Sequence, residues 1–294
     1  MLLPSSADPQ FEPRAPLSSA VPVTSEPESL APHATEPSAL PPLPLENPAW
    51  NGWDVLLIVV LTIVTMVAVE LALIFGAHYL FYPRVTIFEL TQRPILALFA
   101  QFLVDAAVVL YIFLLIEGKY HTPFWQSIRW DWQKARWLML ALGAATFMVL
   151  TLLGNLLPMP KETPFDKLFE RPRDAYLVAI IAVTLGPFME ELFFRGLLYP
   201  VLAKRWGAAW GIFLSALPFA LLHLPQYGYS WGILLVILAI GTVCGMVRAA
   251  TKSVGASFLV HAGYNGAQML IAVVFTHGFT RMPKGLLEVC FMMN

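Results

Sequence analysis

The chain has 294 residues, of which 58% are hydrophobic and only 13% are charged, and its mean hydropathy is +0.67. A soluble domain carries about 25% charged residues, so the composition argues against a water-soluble globule. Lysines and arginines number 18 and acidic residues 19, which leaves no basic field for a nucleic-acid backbone and excludes nucleic acid as a partner. The two cysteines, Cys244 and Cys290, are too few for a disulfide framework or a four-ligand zinc site.

The first 48 residues have the composition of an unfolded tail. Twelve of the 24 prolines fall there, and the segment lacks the basic start and apolar stretch of a secretory signal. Such a composition buries too little apolar surface to offset the entropy of ordering. We therefore predict a disordered, proline-rich tail over residues 1–48, serving as a spacer or alternatively as a partner-binding arm, and a membrane-embedded helical domain over 49–294.

From Trp53 onward the chain consists of apolar runs long enough to cross a bilayer. Prolines, glycines and charges separate the runs, as at 204–207. The expected fold is all-α, a polytopic membrane bundle of about seven to eight transmembrane helices. Aromatic and basic residues alternate over 122–136, which favours a helix lying at the lipid headgroups. The predicted spans are 54–80, 94–117, 137–157, 176–199, 207–224, 231–249 and 254–277.

The fourth apolar run contains three charged residues, Glu190, Glu191 and Arg195. A charge near the bilayer centre costs about 2.5–3.5 kcal/mol on insertion scales, so such a residue is by default a hypothesis of function. Glu191 and Arg195 are four residues apart and can neutralise each other on one helix face. Glu190 lies about 100° away around the helix and needs a partner from another helix or a proton.

Partners for Glu190 occur on two later spans. His223 lies in the fifth run, and His261 and Asn265 lie four residues apart in the seventh. A carboxylate beside an imidazole can activate water, while a second imidazole and an amide can stabilise an oxyanion. Two alternatives remain open: Glu190, His223 and His261 could ligate a divalent metal such as Zn²⁺, or the set could be a purely structural polar contact between helices.

Other polar residues in the predicted spans are not expected to be catalytic. Glu70, Gln101 and Asp105 are expected to support the structure, because none has a basic residue four positions later. Ser257 precedes His261 by four residues, but no glycine follows the serine, which disfavours a serine nucleophile. The zincin motif His-Glu-x-x-His does not occur in the sequence.

Three motifs follow one another in the order Glu190-Glu191-x-x-x-Arg195, Phe219-x-x-x-His223 and His261-x-x-x-Asn265. Together they resemble the CPBP family of intramembrane proteases, the CAAX-processing and bacteriocin-processing or Abi family, over residues 176–275. The resemblance implies an endopeptidase that hydrolyses peptide bonds near the membrane surface. Glu190 and His223 would then activate the attacking water, and His261 and Asn265 would stabilise the oxyanion. Glu191 and Arg195 would form a supporting ion pair.

The resemblance also bears on partners, cofactor and location. It leaves open whether water is activated by the glutamate alone or with a divalent metal held by Glu190, His223 and His261. Membrane lipid and a peptide or protein substrate, prenylated or not, are the expected partners. The expected location is a bacterial inner membrane, with the chain as a multi-pass protein. The alternative functions are a non-catalytic immunity or scaffolding protein and a proton-coupled transporter, the latter disfavoured because the sequence shows no internal repeat.

Overall fold

The computed structural model describes residues 46–134 and 136–281, except for the side chain of Pro94. The predicted tail up to residue 45, and Cys290, lie outside the described residues. Within the described ranges the chain is helical and has no strand, which confirms the all-α prediction. The helices are α1 (Gly52–Gly76), α2 (Ile87–Thr91), α3 (Pro94–Phe113), α4 (Phe124–Ser127), α5 (Trp137–Gly154), α6 (Pro172–Val183), α7 (Leu185–Glu191), α8 (Tyr199–His223), α9 (Trp231–Thr251) and α10 (Val254–Phe275). Turns of π-helix cover Ala77–Phe81, Leu114–Lys119 and Leu192–Leu198, and 3-10 turns cover Pro164–Phe169 and Leu224–Tyr227.

Six helical stretches in these ranges are long and apolar enough to cross a membrane. One of them, Pro172–Tyr227, has 56 residues, or about 84 Å of helix, against about 30 Å of hydrocarbon. It is interrupted at Gly207, whose φ of 82° and ψ of 166° are not helical, at the turn predicted from the sequence. The stretch therefore has room for two crossings. The chain is a multi-pass integral membrane protein, in agreement with the predicted bundle.

The fourth predicted span, 176–199, differs from the continuous helix that hydropathy suggests. α6 ends at Val183, and Thr184 takes φ −117° and ψ −77°. The Thr184 hydroxyl donates to the carbonyl of Ile180 at 2.6 Å, and Pro187 supplies no backbone N–H. Both effects bend or interrupt helices. Glu190 therefore lies on the short helix α7 rather than in the middle of a straight span.

The segment 122–136 is not the headgroup helix that the sequence predicts. Among its described residues only Phe124–Ser127 are helical, and Arg129 adopts a left-handed conformation with φ 60°. The segment is instead a folded loop, and Ser253 donates its hydroxyl hydrogen to the carbonyl of Asp131 at 2.7 Å. That bond fastens the loop to the turn between α9 and α10.

Helix α10 packs against α5 through two glycines. A Cβ on Gly143 would meet the carbonyl oxygen of Val260, and one on Gly263 would meet that of Leu140. Small residues allow this close backbone approach, which is a common way of joining helices in membranes. The contact fixes α10 beside the rest of the bundle, two residues from His261.

The first described residues pack into the membrane domain. Glu46, which the sequence placed in the tail, is only 3% exposed. The indole N–H of Trp50 donates to the carbonyl of Leu197 at 2.8 Å, and the side chain of Asn51 caps α1. The ordered domain therefore begins at least as early as residue 46.

Candidate active site

Three ionisable side chains from three helices meet beside α7. The two carboxylate oxygens of Glu190 lie 3.6 Å from Nε2 of His223, on α8, and 3.6 Å from Nε2 of His261, on α10. The side chain of Glu190 is 31% exposed, that of His223 is 18% exposed and that of His261 is 5% exposed. The structure thus brings together three of the four residues that the sequence proposes as catalytic, with Glu190 the most exposed of the three.

The opposite nitrogens of the two imidazoles are both occupied. Nδ1 of His223 lies 2.8 Å from the carbonyl of Phe219, and Nδ1 of His261 lies 3.0 Å from the carboxylate of Glu191. Since a carbonyl and an ionised carboxylate only accept, both Nδ1 atoms carry the hydrogen. In the neutral imidazoles the Nε2 lone pairs therefore face Glu190.

Behind these groups lies a fully buried ion pair. Arg195 Nη1 is 2.9 Å from Glu191 Oε1, and both side chains are 0% exposed. Arg195 Nη2 also donates to the carbonyl of Gly241 at 2.7 Å. The Ser257 hydroxyl donates to Glu191 Oε2 at 2.6 Å, so it faces the second glutamate and not His261. This arrangement agrees with the expectation that Ser257 is not a nucleophile.

The ring of Phe219 forms a common support for the charged groups. Its centroid lies 4.7 Å from that of His223 and 5.6 Å from that of His261. The Arg195 guanidinium carbon lies 4.7 Å from the same centroid, a distance at which the cation is attracted to the ring. This phenylalanine opens the second motif, and its side chain orients both imidazoles.

Asn265, the fourth candidate, lies one turn after His261 on α10, and its side chain is bonded to the end of α6. Its amide nitrogen donates to the carbonyl of Ala182 at 2.7 Å, close to the end of α6. A side-chain amide has a second N–H, which this bond leaves unused. Asn265 thus donates one N–H hydrogen to the end of α6, and this bond leaves its second N–H hydrogen for another acceptor.

Two sets of residues have the chemistry to hold a metal ion. Glu190, His223 and His261 present a carboxylate and two Nε2 atoms, and each Nδ1 is oriented by an acceptor, as is usual for metal-bound histidines. Glu191, Cys244 and His261 also offer ligand atoms within 4.8 Å of one another. In this second set Arg195 and Ser257 already bind both oxygens of Glu191, and the guanidinium repels a cation. The bonds and the positive charge around Glu191 therefore count against the second set, although its ligand atoms lie close together.

The residues expected to give support lie on two other helices. Gln101 donates to Asp105 at 2.8 Å on α3, so the two form a pair within one helix. Glu70 is exposed on α1. The supporting role of these three residues stays a prediction.

An aromatic groove of about 630 Å³ opens near the cluster. Phe188 lines it and lies on α7, two residues before Glu190. The groove has the size of a small-molecule site, and its walls are almost entirely apolar. Its lining residues are Trp125, Trp130, Trp132, Thr184, Leu185, Phe188 and Phe258.

Comparison with known families gives one match. Residues 172–267 fit the family model described as type II CAAX prenyl endopeptidase Rce1-like. The match supports the predicted family over this segment. No curated protein and no solved structure matches the chain. The family implies a protease, hence a hydrolase, with a peptide or protein substrate.

The Rce1-like segment contains all six predicted site residues, from Glu190 to Asn265. It leaves out Glu46 and Trp50, and sequence reasoning missed both because they stand next to the proline-rich region. It also missed Arg248, which is buried. Arg248 lies at the end of the sixth apolar run, so a hydropathy pattern assigns it to a loop, although a cation inside a helix end is itself a signal of a buried partner.

Proposed function

We propose that the protein is an intramembrane endopeptidase of the CAAX-prenyl-protease type that hydrolyses peptide bonds near the membrane surface. The observation that carries the proposal is the convergence of Glu190 with the Nε2 atoms of His223 and His261, each at 3.6 Å. These gaps are too long for direct hydrogen bonds. They leave the Glu190 carboxylate and the Nε2 atoms able to accept hydrogen bonds from a water molecule beside them, as general-base activation of water requires.

In the proposed reaction Glu190, assisted by His223, takes a proton from water while the water oxygen adds to the carbonyl carbon of the scissile bond. The proton then passes to the departing amine nitrogen as the C–N bond breaks. Asn265, through its second N–H, and His261, when its Nε2 is protonated, would donate to the oxyanion. A divalent metal held by Glu190, His223 and His261 would instead supply Lewis-acid chemistry at the same place.

The aromatic groove supports a substrate with a large apolar group. Phe188, one of its lining residues, is on the same short helix as Glu190, so an apolar side chain or lipid modification bound there would hold a neighbouring peptide bond near the carboxylate. A prenylated peptide is the member of this class that the family suggests. A bacterial inner membrane is part of the same proposal, and the six long apolar helical stretches support a membrane location.

The test is cleavage of membrane-tethered peptides, with and without a prenylated cysteine, by purified protein in detergent. Glu190→Gln keeps the shape of the side chain but removes the base, so we expect cleavage to fall by about 10²–10⁴-fold. The control is Glu162→Gln, at an exposed carboxylate, which should cleave normally. Undiminished cleavage by Glu190→Gln would refute the mechanism, and a parallel assay with a chelator tests the metal.

A further inference from the structure

Two carbonyl groups of the π-helical turn Leu192–Leu198 accept hydrogen bonds from side chains outside the turn. The Trp50 indole N–H donates to the carbonyl of Leu197 at 2.8 Å. Arg248 Nε donates to the carbonyl of Arg195 at 3.2 Å. Both bonds are buried, and the turn directly follows the helix that carries Glu190. The backbone next to the candidate active site is thus held by side chains that the three motifs do not include.

The sequence explains why the Arg195 carbonyl needs an outside donor. In the π-helical turn the N–H of Tyr199 donates to the carbonyl of Phe194, five residues earlier. At the same spacing the partner of the Arg195 carbonyl would be residue 200, which is a proline and has no N–H. A buried carbonyl without a partner is costly, and Arg248 supplies the missing hydrogen.

Arg248 is in turn held by Glu46. Its Nη1 and Nη2 lie 3.1 and 3.4 Å from the two oxygens of Glu46, and Lys252 and Arg129 lie within 3.4 Å of the same carboxylate. Burial alone would raise the pKa of Glu46, but the surrounding cations outweigh this effect and lower the pKa below its usual value. The charged carboxylate therefore holds together three cations that would otherwise repel one another.

We propose that Glu46 and Trp50 form an N-terminal clamp that positions the catalytic machinery through the π-helical turn. Trp50 acts directly on the turn and Glu46 acts through Arg248. The side chain of Arg195, whose carbonyl Arg248 holds, binds Glu191, and Glu191 binds Nδ1 of His261. Glu46 and Trp50 are thus positioning residues, and their effect on catalysis rests on the proposed function.

The clamp is tested without any substrate by the reactivity of Cys244. This thiol is buried on α9, four residues before Arg248 and therefore on the same helix face. In a Cys290→Ser background it is the only cysteine left, and N-ethylmaleimide measures how often that face opens. We expect Trp50→Phe, which removes one N–H, and Glu46→Gln, which removes one charge, each to raise the labelling rate about tenfold.

Matched control variants distinguish the loss of the clamp from a general loosening of the fold. Trp53→Phe alters a tryptophan that is 79% exposed, and Glu162→Gln alters an exposed carboxylate, so both should label like the parent protein. Glu46→Asp, which keeps the charge, should restore most of the protection. The clamp proposal would be overturned if both clamp variants labelled at a rate within twofold of the parent protein. It would also be overturned if the labelling rate rose equally in Trp53→Phe.

Peptide cleavage then tests the positioning role. Below the melting temperature of each variant, we expect Trp50→Phe and Glu46→Gln to lower kcat about tenfold while KM changes less than twofold, since the clamp does not touch substrate. If a variant labels faster but keeps a normal kcat, the positioning role is refuted, and Glu46 and Trp50 form only a structural contact. If the parent protein cleaves no peptide, the proposed function fails, and the labelling result still decides whether the clamp exists.

Discussion

Replacing Arg195 with methionine tests whether the buried ion pair organises the site. Arg195 and Glu191 are 2.9 Å apart and wholly inaccessible, so methionine fills similar space but leaves the Glu191 carboxylate without its cation. Breaking a buried pair from one side costs about 3–5 kcal/mol because the remaining charge is uncompensated. We expect Arg195→Met to lower the free energy of unfolding by that amount.

The measurement is unfolding in mixed micelles of a mild detergent and sodium dodecyl sulfate, followed by the loss of helical circular dichroism. Arg205→Met is the control, because Arg205 is exposed on α8 and its loss should cost less than about 0.5 kcal/mol. The double variant Glu191→Gln with Arg195→Met removes both charges. It should recover at least half of the loss, since no unpaired charge stays buried.

A loss of less than about 1 kcal/mol in Arg195→Met would refute this reasoning. It would mean that His261 and Ser257 compensate the charge of Glu191 by themselves. A double variant less stable than Arg195→Met would also contradict it, because the penalty would then come from lost packing rather than from an unpaired carboxylate.

Three further outcomes are expected. Gly241→Ala places a Cβ 3.0 Å from the ring of Phe219, so we expect about 1–3 kcal/mol of destabilisation in the same unfolding assay, together with slower peptide cleavage. Asn265→Ala removes the donor to Ala182 and the proposed oxyanion donor, and it should lower kcat by about 10²–10³-fold in the cleavage assay. Because its pKa is lowered in the fold, Glu46 stabilises the protein above its unfolded pKa of about 4.3, and this stabilisation is lost as pH falls through the lower folded value. The stability difference between wild type and Glu46→Gln, measured by unfolding, should therefore shrink below about pH 4.

The parts of the molecule that were predictable are those that depend on local pattern. Apolar runs gave the spans, and charges within them gave Glu190 and its partners, because burial of a charge is costly wherever it occurs. The break at Thr184 escaped this reasoning, since it arises from a hydroxyl bond and a proline inside an apolar run. Glu46 escaped because its partner Arg248 is 202 residues away, and pairing over such a separation leaves no pattern in the sequence.

The helical geometry of α7 explains how two adjacent glutamates come to differ so much in exposure. Successive residues of a helix point about 100° apart, and the 31% exposed Glu190 faces the two Nε2 atoms while the 0% exposed Glu191 faces Arg195.

Irregular backbone at membrane depth is tolerated only where other groups satisfy it. Each irregular end of α7 has such a donor: Asn265 serves the carbonyl of Ala182 before it, while Arg248 and Trp50 serve those of Arg195 and Leu197 after it. The short helix that presents Glu190 is therefore held at both ends by side chains from distant parts of the chain. A loss of any of these donors should disturb the orientation of Glu190 before it unfolds the bundle.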